Sequence, residues 1–370
     1  MEDKSNLIDE IFEKVVRWHL NPENKDYGLL TGKTGECVFF YNLYTKTGEA
    51  RFMGYIGDFI SDVVSNPEKI FNKVTLCDGA AGFVWFLKFL QRNKEIESIY
   101  DVIDKDLTNF LFESAEKQFD RGNWDYMHGA LGIILALADD EPRFIHLMEE
   151  KLLSLKKEDG GGFIWESEMY GDKINLGIAH GLPSIVYFLG KYREHLTSID
   201  SMFIDTILTS VTNSKLGHGH TSLYPSFMGD DSVSRLGWCY GDISIGSSLL
   251  DVSKLNKKAE NILLETARHS MSRKDKSDTL IADSCICHGT AGVELIYNKF
   301  YKNYTDQGFK DFAQYMNAET GNLLRKNNFK FFDRYSSEWM ENYSLLEGLS
   351  GVGLVLLGVD NGWDECIMLS

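Results

Sequence analysis

Residues 287–297 read CHGTAGVELIY, in which Gly289 and Gly292 are followed at once by an apolar helical run. The same Gly-x-x-small element occurs seven times along the chain. The seven elements are Gly32–Gly35, Gly79–Gly82, Gly129–Gly132, Gly181–Ser184, Gly241–Ser244, Gly289–Gly292 and Gly348–Gly351. Subtraction gives spacings of 47, 50, 52, 60, 48 and 59 residues between first glycines. Such a spacing accommodates two helices of ordinary length with their connections, so the chain is predicted to consist of seven helical hairpins.

The repeat also predicts how the hairpins are arranged. Small residues three apart lie on one face of a helix and allow neighbouring helices to approach closely, as the narrow inner end of a closed ring requires. An open solenoid carries atypical polar units at its ends. Here the first unit (TGKTGECVFF, 31–40) and the last (EGLSGVGLVLLG, 347–358) are nearly as apolar as the others. The sequence therefore favours an all-α fold closed into a ring, and residues 162–165 (GFIW) are one short strand candidate.

Composition excludes several functional classes. The 370 residues contain 38 Lys and Arg against 55 Asp and Glu, which gives a net charge of −17 and argues against a nucleic-acid partner. Six cysteines in a chain of this length do not indicate a disulfide framework. The first residues lack the features of a signal peptide, and no apolar run is long enough to span a membrane. We expect a cytoplasmic protein that is not an integral membrane protein.

The residue before each first glycine is polar in every unit. These residues are Thr31, Asp78, His128, His180, Tyr240, His288 and Glu347. Seven helix N-termini that face one centre would direct these side chains into a shared funnel, where the helix dipoles favour anions. Capping explains Thr31 and Asp78 but not three histidines. A functional pocket is therefore predicted at this end of the ring.

Cysteines adjoin the funnel positions in three units, at Cys77, Cys239 and Cys287. Two thiolates and one imidazole form a zinc site of the catalytic kind, with the fourth position open. Because they belong to adjacent units, Cys239, Cys287 and His288 are the favoured set. Cys285 is a rival ligand, and the alternative is that all these cysteines are small buried apolar residues.

Five segments together resemble a known family, the lanthionine synthetase C-like proteins, or lantibiotic cyclases. The segments are WDYMHGALG (124–132), GIAHGLP (177–183), WCYGD (238–242), CHGTAG (287–292) and LLEGLSGVGLVLL (345–357). The resemblance implies an α/α toroid, a double ring of helices, as a single domain over residues 1–370. Some family members carry an inserted β domain, for which the spacings here leave no room. Two segments depart from the family pattern, because WCYGD is followed by ISIG and AHG by LPS.

The resemblance also assigns residues. It implies one zinc ion per chain, bound by Cys239, Cys287 and His288, and leaves Cys77 structural. It implies an acid/base role for His180 with Asp125. The active-site arginine and tyrosine of the family correspond to Arg235 and Tyr240.

The implied reaction is Michael-type addition of a peptide cysteine thiol to dehydroalanine or dehydrobutyrine, which closes a thioether ring. The implied substrate is a dehydrated precursor peptide with leader and core, and a dehydratase and an export transporter are candidate partners. Three alternatives stay open: a relative that binds or adds a small thiol such as glutathione, a toroid glycoside hydrolase using Asp78 and Glu347, and a scaffold for a dehydratase. The His218-Gly-His220 sequence is interpreted as part of a surface loop at the substrate entrance.

Overall fold

The structure is a computed structural model that describes residues 2–369, with side chains from Lys4 onward. Within that range, fourteen helices of seven or more residues alternate between an outer and an inner ring, which confirms the predicted all-α toroid. The outer helices are α1 (Glu2–His19), α3 (Ala50–Ser65), α5 (Lys105–Asp120), α7 (Arg143–Leu155), α9 (Ser201–Asn213), α11 (Lys257–Ser270) and α13 (Gln307–Lys326). The inner helices are α2 (Lys33–Thr47), α4 (Ala80–Arg92), α6 (Ala130–Leu137), α8 (Leu182–Lys191), α10 (Asp242–Ser248), α12 (Thr290–Tyr304) and α14 (Leu349–Leu357).

Apolar patterning separates the two rings. The outer helix α3 buries Phe52, Ile56, Phe59 and Val63, a single stripe at helical spacing, and exposes its other face. The inner helix α6 is buried along its whole length. A helix that is apolar on all sides is stable only inside a core, so the inner helices form the core of the protein. No helix in the described range is long and apolar enough to cross a bilayer.

Each inner helix begins directly after one of the predicted first glycines, which form the N-caps. The second small residue explains how the units approach each other. A Cβ atom added at Gly35 would lie 2.8 Å from the Cβ of Leu345 in the last unit, and one at Gly132 would lie 2.7 Å from the Cβ of Leu76 in the preceding unit. Glycine is required at these two contacts, which agrees with the small residue that the repeat predicted there.

Backbone hydrogen bonds between the loops that precede the inner helices close the ring. Leu346 N in the last unit donates to Leu30 O in the first at 3.0 Å. The remaining bonds of this series are Leu30 N to Cys77 O, Cys77 N to Met127 O, Cys239 N to Cys287 O and Cys287 N to Leu346 O, all between 2.9 and 3.1 Å. The loops at this end are thus held in a fixed register with one another.

Two antiparallel hairpins account for the strands in the described range. Strand β1 (Lys157–Asp159) pairs with β2 (Gly162–Ile164), which lies on the predicted strand candidate. Strand β3 (Phe331–Asp333) pairs with β4 (Glu338–Met340). The second hairpin was not predicted from the sequence.

The closing segment, which we define as residues 363–369, is buried inside the inner ring. It begins with a 3₁₀ helix over Trp363–Ile367. The Glu365 carboxylate accepts hydrogen bonds from the Trp85 indole and the Lys191 ammonium, at 2.8 and 2.7 Å. The Trp238 indole donates to Ile367 O at 2.8 Å. The closing segment therefore joins three inner-ring units, including the one that carries Cys239.

Candidate metal centre

The N-terminal ends of the inner helices surround a cavity of about 530 Å³. Four of the seven predicted funnel residues line it: His180, Tyr240, His288 and Glu347. The other three, Thr31, Asp78 and His128, do not line it. The funnel is therefore narrower than the sequence predicted and is centred on the units from α8 to α14.

Local hydrogen bonds account for two of the funnel residues outside the cavity. The Asp78 carboxylate pairs with Lys73 and accepts a hydrogen bond from the Thr75 hydroxyl at 2.5 Å. Thr31 donates to the Asp26 carboxylate at 3.0 Å. The predicted capping role of Thr31 and Asp78 is wrong, because Gly32 and Gly79 are the N-caps and neither helix start has a side-chain cap. The two side chains instead bond to neighbouring side chains of their own loops.

Cys239, Cys287 and His288 converge at the base of the cavity. Their ligand atoms all lie within 4.8 Å of one another, and all three residues are buried. The Cys239 N to Cys287 O hydrogen bond between adjacent loops fixes this approach. All six cysteines of the chain are free thiols. Cys77 is buried apart from the group, so only two of the three predicted cysteines are brought together.

The electrostatics of this group suit a metal ion. A hydrogen bond from the Cys287 thiol, assisted by the charge of Arg235, lowers the pKa of Cys239, and the same bond and burial raise the pKa of Cys287. Burial lowers the pKa of His288, which keeps its imidazole neutral and able to donate a lone pair. Two thiols and a neutral imidazole within bonding reach of one point can hold a metal ion, and this donor set is typical of zinc.

A second group shares His288 with the first and adds Asp283 and Cys285. Its members have local partners. The Cys285 sulfur accepts a hydrogen bond from His288 N at 3.4 Å, and Asp283 Oδ1 accepts one from Cys285 N at 3.0 Å. Cys285, the rival ligand from the sequence, does not line the cavity. Asp283 Oδ2 lies 3.9 Å from His288 Nε2, so this carboxylate, which the sequence analysis missed, is a charged neighbour of the imidazole without a direct hydrogen bond to it.

His180 and Asp125 form a pair on the other side of the cavity. His180 Nδ1 lies 2.7 Å from Asp125 Oδ2, and the buried Asp125 also accepts a hydrogen bond from His128 N at 2.7 Å. Asp125 lies behind the cavity wall, whereas His180 lines it. Because Nδ1 is engaged by the carboxylate, Nε2 is the nitrogen of His180 left for a substrate. The His128 ring stacks on His180 with a centroid distance of 6.0 Å.

Arg235 lines the cavity without an acidic partner. It forms no ion pair with any described residue, and its Nε atom is buried without a hydrogen bond. A structural ion pair, the ordinary explanation for a half-buried arginine, is therefore absent from the part of the chain that the structure describes. The positive charge is directed at the cavity and lowers the pKa of the Cys239 thiol nearby.

Two tyrosines complete the wall beside His180. The Tyr240 hydroxyl accepts a hydrogen bond from the Asn175 amide at 3.1 Å. Tyr170 packs edge-on against His180 at 6.0 Å and lines the cavity. Sequence reasoning missed Tyr170 because it lies in an irregular segment outside every repeat element.

The loop over residues 214–234 supports the wall from behind. Phe227 packs against Tyr170 and Tyr240, with ring centroids at 5.4 and 6.2 Å. His218 and His220 are exposed and belong to neither group of candidate metal ligands in the described structure. The interpretation of this segment as a surface loop agrees with the structure.

Comparison with known proteins places the chain in a family. Its structure superposes on that of nisin cyclase with a TM-score of 0.75 at 20% sequence identity, over 99% of this chain and 97% of that one. A search of curated proteins returns no match. The profile described as "Lanthionine synthetase C-like protein" matches residues 23–365, nearly the whole chain. The protein therefore belongs to the lanthionine synthetase C-like family.

Proposed function

We propose that this protein is a zinc-dependent lanthipeptide cyclase, a single domain that adds peptide cysteine thiols to dehydroalanine or dehydrobutyrine and so forms lanthionine and methyllanthionine rings. One observation carries the proposal. The Cys239, Cys287 and His288 group, the His180 imidazole and the unpaired Arg235 guanidinium all face the same cavity. A thiol site, a proton carrier and a cation are the three groups that this addition requires.

The ligand group supplies the nucleophile. A free thiol with a pKa near 8.5 is mostly protonated at neutral pH. One zinc ion held by Cys239, Cys287 and His288 would bind the incoming peptide thiol as a thiolate. The fit rests on the donor types and on their mutual distances of at most 4.8 Å.

The other side of the cavity completes the addition. The new S–Cβ bond forms as the electrons of the C=C bond move to the α-carbon and its carbonyl, which creates an enolate. The Arg235 guanidinium stabilises this negative charge. His180 then delivers a proton to the α-carbon, and Asp125 holds the imidazole in position through Nδ1. The thiol proton lost and the α-carbon proton gained balance the reaction.

The substrate follows from the family and the chemistry. We propose a dehydrated precursor peptide with a leader and a core, modified in the cytoplasm, with a dehydratase and an export transporter as candidate partners. The structural neighbour is named nisin cyclase, and this likeness supports a cyclisation reaction here. The glycoside hydrolase alternative is not supported, because Asp78 pairs with Lys73 outside the cavity that Glu347 lines.

The test combines metal analysis with thiol counting. Wild-type protein should contain about one zinc ion per chain and should consume the thiol of a synthetic peptide that carries one dehydroalanine and one cysteine four residues apart. We expect Cys239→Ala to lose both the zinc and the reaction. Cys77→Ala is the matched control, because Cys77 is equally buried but lies outside the ligand group, and it should keep both.

Two results would contradict the proposal. An unchanged thiol count with zinc-loaded wild-type protein would exclude the cyclase. A mass gain equal to glutathione, on a cysteine-free dehydroalanine peptide only, would assign the protein to small-thiol addition instead.

A further inference from the structure

The hairpin of β3 and β4, which we call the rim hairpin and define as residues 331–340, overhangs the cavity. Both of its strands contribute lining residues. These are Phe331, Phe332, Asp333, Arg334, Tyr335 and Met340. The hairpin is anchored to the candidate metal centre, because Phe332 N donates to Asp283 Oδ2 at 3.0 Å and the same carboxylate lies beside His288.

Exposed apolar side chains are concentrated on the rim hairpin. Tyr335 is fully exposed, and Trp339 and Met340 are 38% and 49% exposed. Single exposed apolar residues are ordinary, but three within six residues at the mouth of a cavity form a contact surface. Trp339 packs edge-on against Phe332, with ring centroids 5.6 Å apart, so its ring is held in place. An exposed aromatic ring held in this way loses little conformational entropy on binding.

One edge of the rim hairpin is available for pairing. Within residues 2–369, strand β4 pairs with β3 alone, in a two-stranded sheet, and all three residues of β4 are exposed. The opposite edge of the hairpin, at Phe332, is already bonded to Asp283. An extended peptide can therefore add as a third strand along β4 but not along β3.

Charge around the rim selects the kind of peptide. Residues 330–347 contain four acidic side chains, Asp333, Glu338, Glu341 and Glu347, against two basic ones, Lys330 and Arg334. The whole chain carries a net charge of −17. Such a surface attracts cationic chains and repels acidic ones.

We propose that the rim hairpin docks an extended, lysine-bearing segment of the peptide substrate, which pairs along β4 and contacts Tyr335 and Trp339 while the reacting residues enter the cavity. This inference rests on the proposed function only in taking the substrate to be a peptide. Docking and chemistry are separate properties of the same peptide and can be measured separately.

The test uses a fluorescein-labelled peptide of alternating lysine and valine with one central cysteine and no dehydrated residue, so that it binds but cannot react. Fluorescence anisotropy should show saturable binding that weakens with salt, and an analogue with glutamate in place of lysine should bind at least tenfold more weakly. We expect Trp339→Ala and Tyr335→Ala each to raise Kd about tenfold. The matched control is Tyr100→Ala, which removes an exposed tyrosine from the ring elsewhere and should leave Kd unchanged.

Hydrogen exchange tests the pairing itself, since the bound peptide should protect the amide of Trp339, which faces the free edge of β4 in this register. Equal Kd values for wild type and both rim variants, or no protection of β4, would overturn the proposal. If the rim variants weaken binding but wild-type protein leaves the thiol of the dehydroalanine peptide intact, docking stands and the cyclase assignment fails. If that peptide is cyclised with unchanged KM in both rim variants, the cyclase stands and docking fails.

Discussion

Two charged residues at opposite ends of the inner ring, Arg235 and Glu365, have contrasting environments. At the N-terminal end, Arg235 lines the cavity with no ion pair in the described structure and with its Nε atom unbonded. At the C-terminal end, Glu365 of the closing segment is bonded by Trp85, Lys191 and Arg92. The seven inner helices are built from the same repeat, so the difference arises outside them. Arg235 lies in the loop before α10, and Glu365 lies in the closing segment.

The difference separates function from stability. A charge that lacks partners inside a protein costs free energy, and it is retained where a ligand or a transition state provides the missing partner. The buried Glu365 carboxylate already has three donors and needs no ligand to satisfy it. Although burial opposes it, the charges of Lys191 and Arg92 lower the pKa of Glu365 to about 2. We call the cavity end of the inner ring, at the N-termini of its helices, the open end, and the end that the closing segment fills the closed end. We therefore expect substitutions at the open end to change activity and substitutions at the closed end to change stability.

Of the substitutions that test this contrast between the two ends, the one at His180 is expected to have the largest effect, and that effect is on activity. The change His180→Gln keeps a hydrogen-bond donor for Asp125 but removes the group that transfers a proton. We expect kcat on the dehydroalanine peptide to fall about 10³-fold, with zinc content and thermal stability unchanged. Steady-state kinetics and metal analysis check this. His128→Gln, on the ring that stacks against His180 outside the cavity, should keep kcat within a few-fold of wild type.

An equal loss in both histidine variants would contradict this assignment, because it would indicate a shared structural role for the stacked pair. Loss of zinc from His180→Gln would also contradict it.

The next largest effect is expected at the closed end. Glu365→Gln removes the charge that Lys191 and Arg92 bind. A pKa lowered from 4.5 to about 2 corresponds to about 3 kcal/mol of stability at pH 7. Urea unfolding should show a loss of that size. The exposed Glu194, changed to Gln, is the matched control and should have an effect below about 0.5 kcal/mol.

The stabilisation by Glu365 should also depend on pH in a definite direction. Because the pKa of Glu365 is lower in the folded state, its stabilisation is fully present above the unfolded pKa and is lost as pH falls through the folded pKa. The wild-type protein should therefore lose this contribution between about pH 4.5 and pH 2, and Glu365→Gln should not. Parallel stability curves for the two proteins over this range would refute the role of the charge.

The sequence predicted those features that the repeat itself encodes. The glycines had to occur where neighbouring units touch, since a Cβ at Gly35 or Gly132 would collide with the adjacent loop. The all-α ring followed from these positions. Cys239, Cys287 and His288 were found because they adjoin the repeat, and the structure brings them together at the ring's centre.

The closing segment and the rim hairpin could not be predicted, because they depend on contacts between residues far apart in the sequence. Glu365 meets Lys191 and Trp85 across 174 and 280 residues of sequence. The rim hairpin has strands of only three residues, and it is held by contacts with distant residues, among them the bond from Phe332 to Asp283 and the bond from Arg334 to the Leu280 carbonyl. A strand that short has too few residues for a period-two pattern to be detected.

The smallest of the expected effects is at Arg235, and it tests the comparison most directly. Arg235→Met removes a cation that has no ion-pair partner among the described residues, so we expect kcat to fall about 10²-fold while stability changes by less than about 0.5 kcal/mol. Arg273→Met is the matched control, because Arg273 is buried and donates to the carbonyl oxygens of Ser234 and Asp278 at 2.6 and 2.7 Å. That variant should lose about 3 kcal/mol of stability, since its partners are left unsatisfied. If Arg235→Met were destabilised as much as Arg273→Met, the charge at the open end would have a structural partner, and its assignment to the enolate would be wrong.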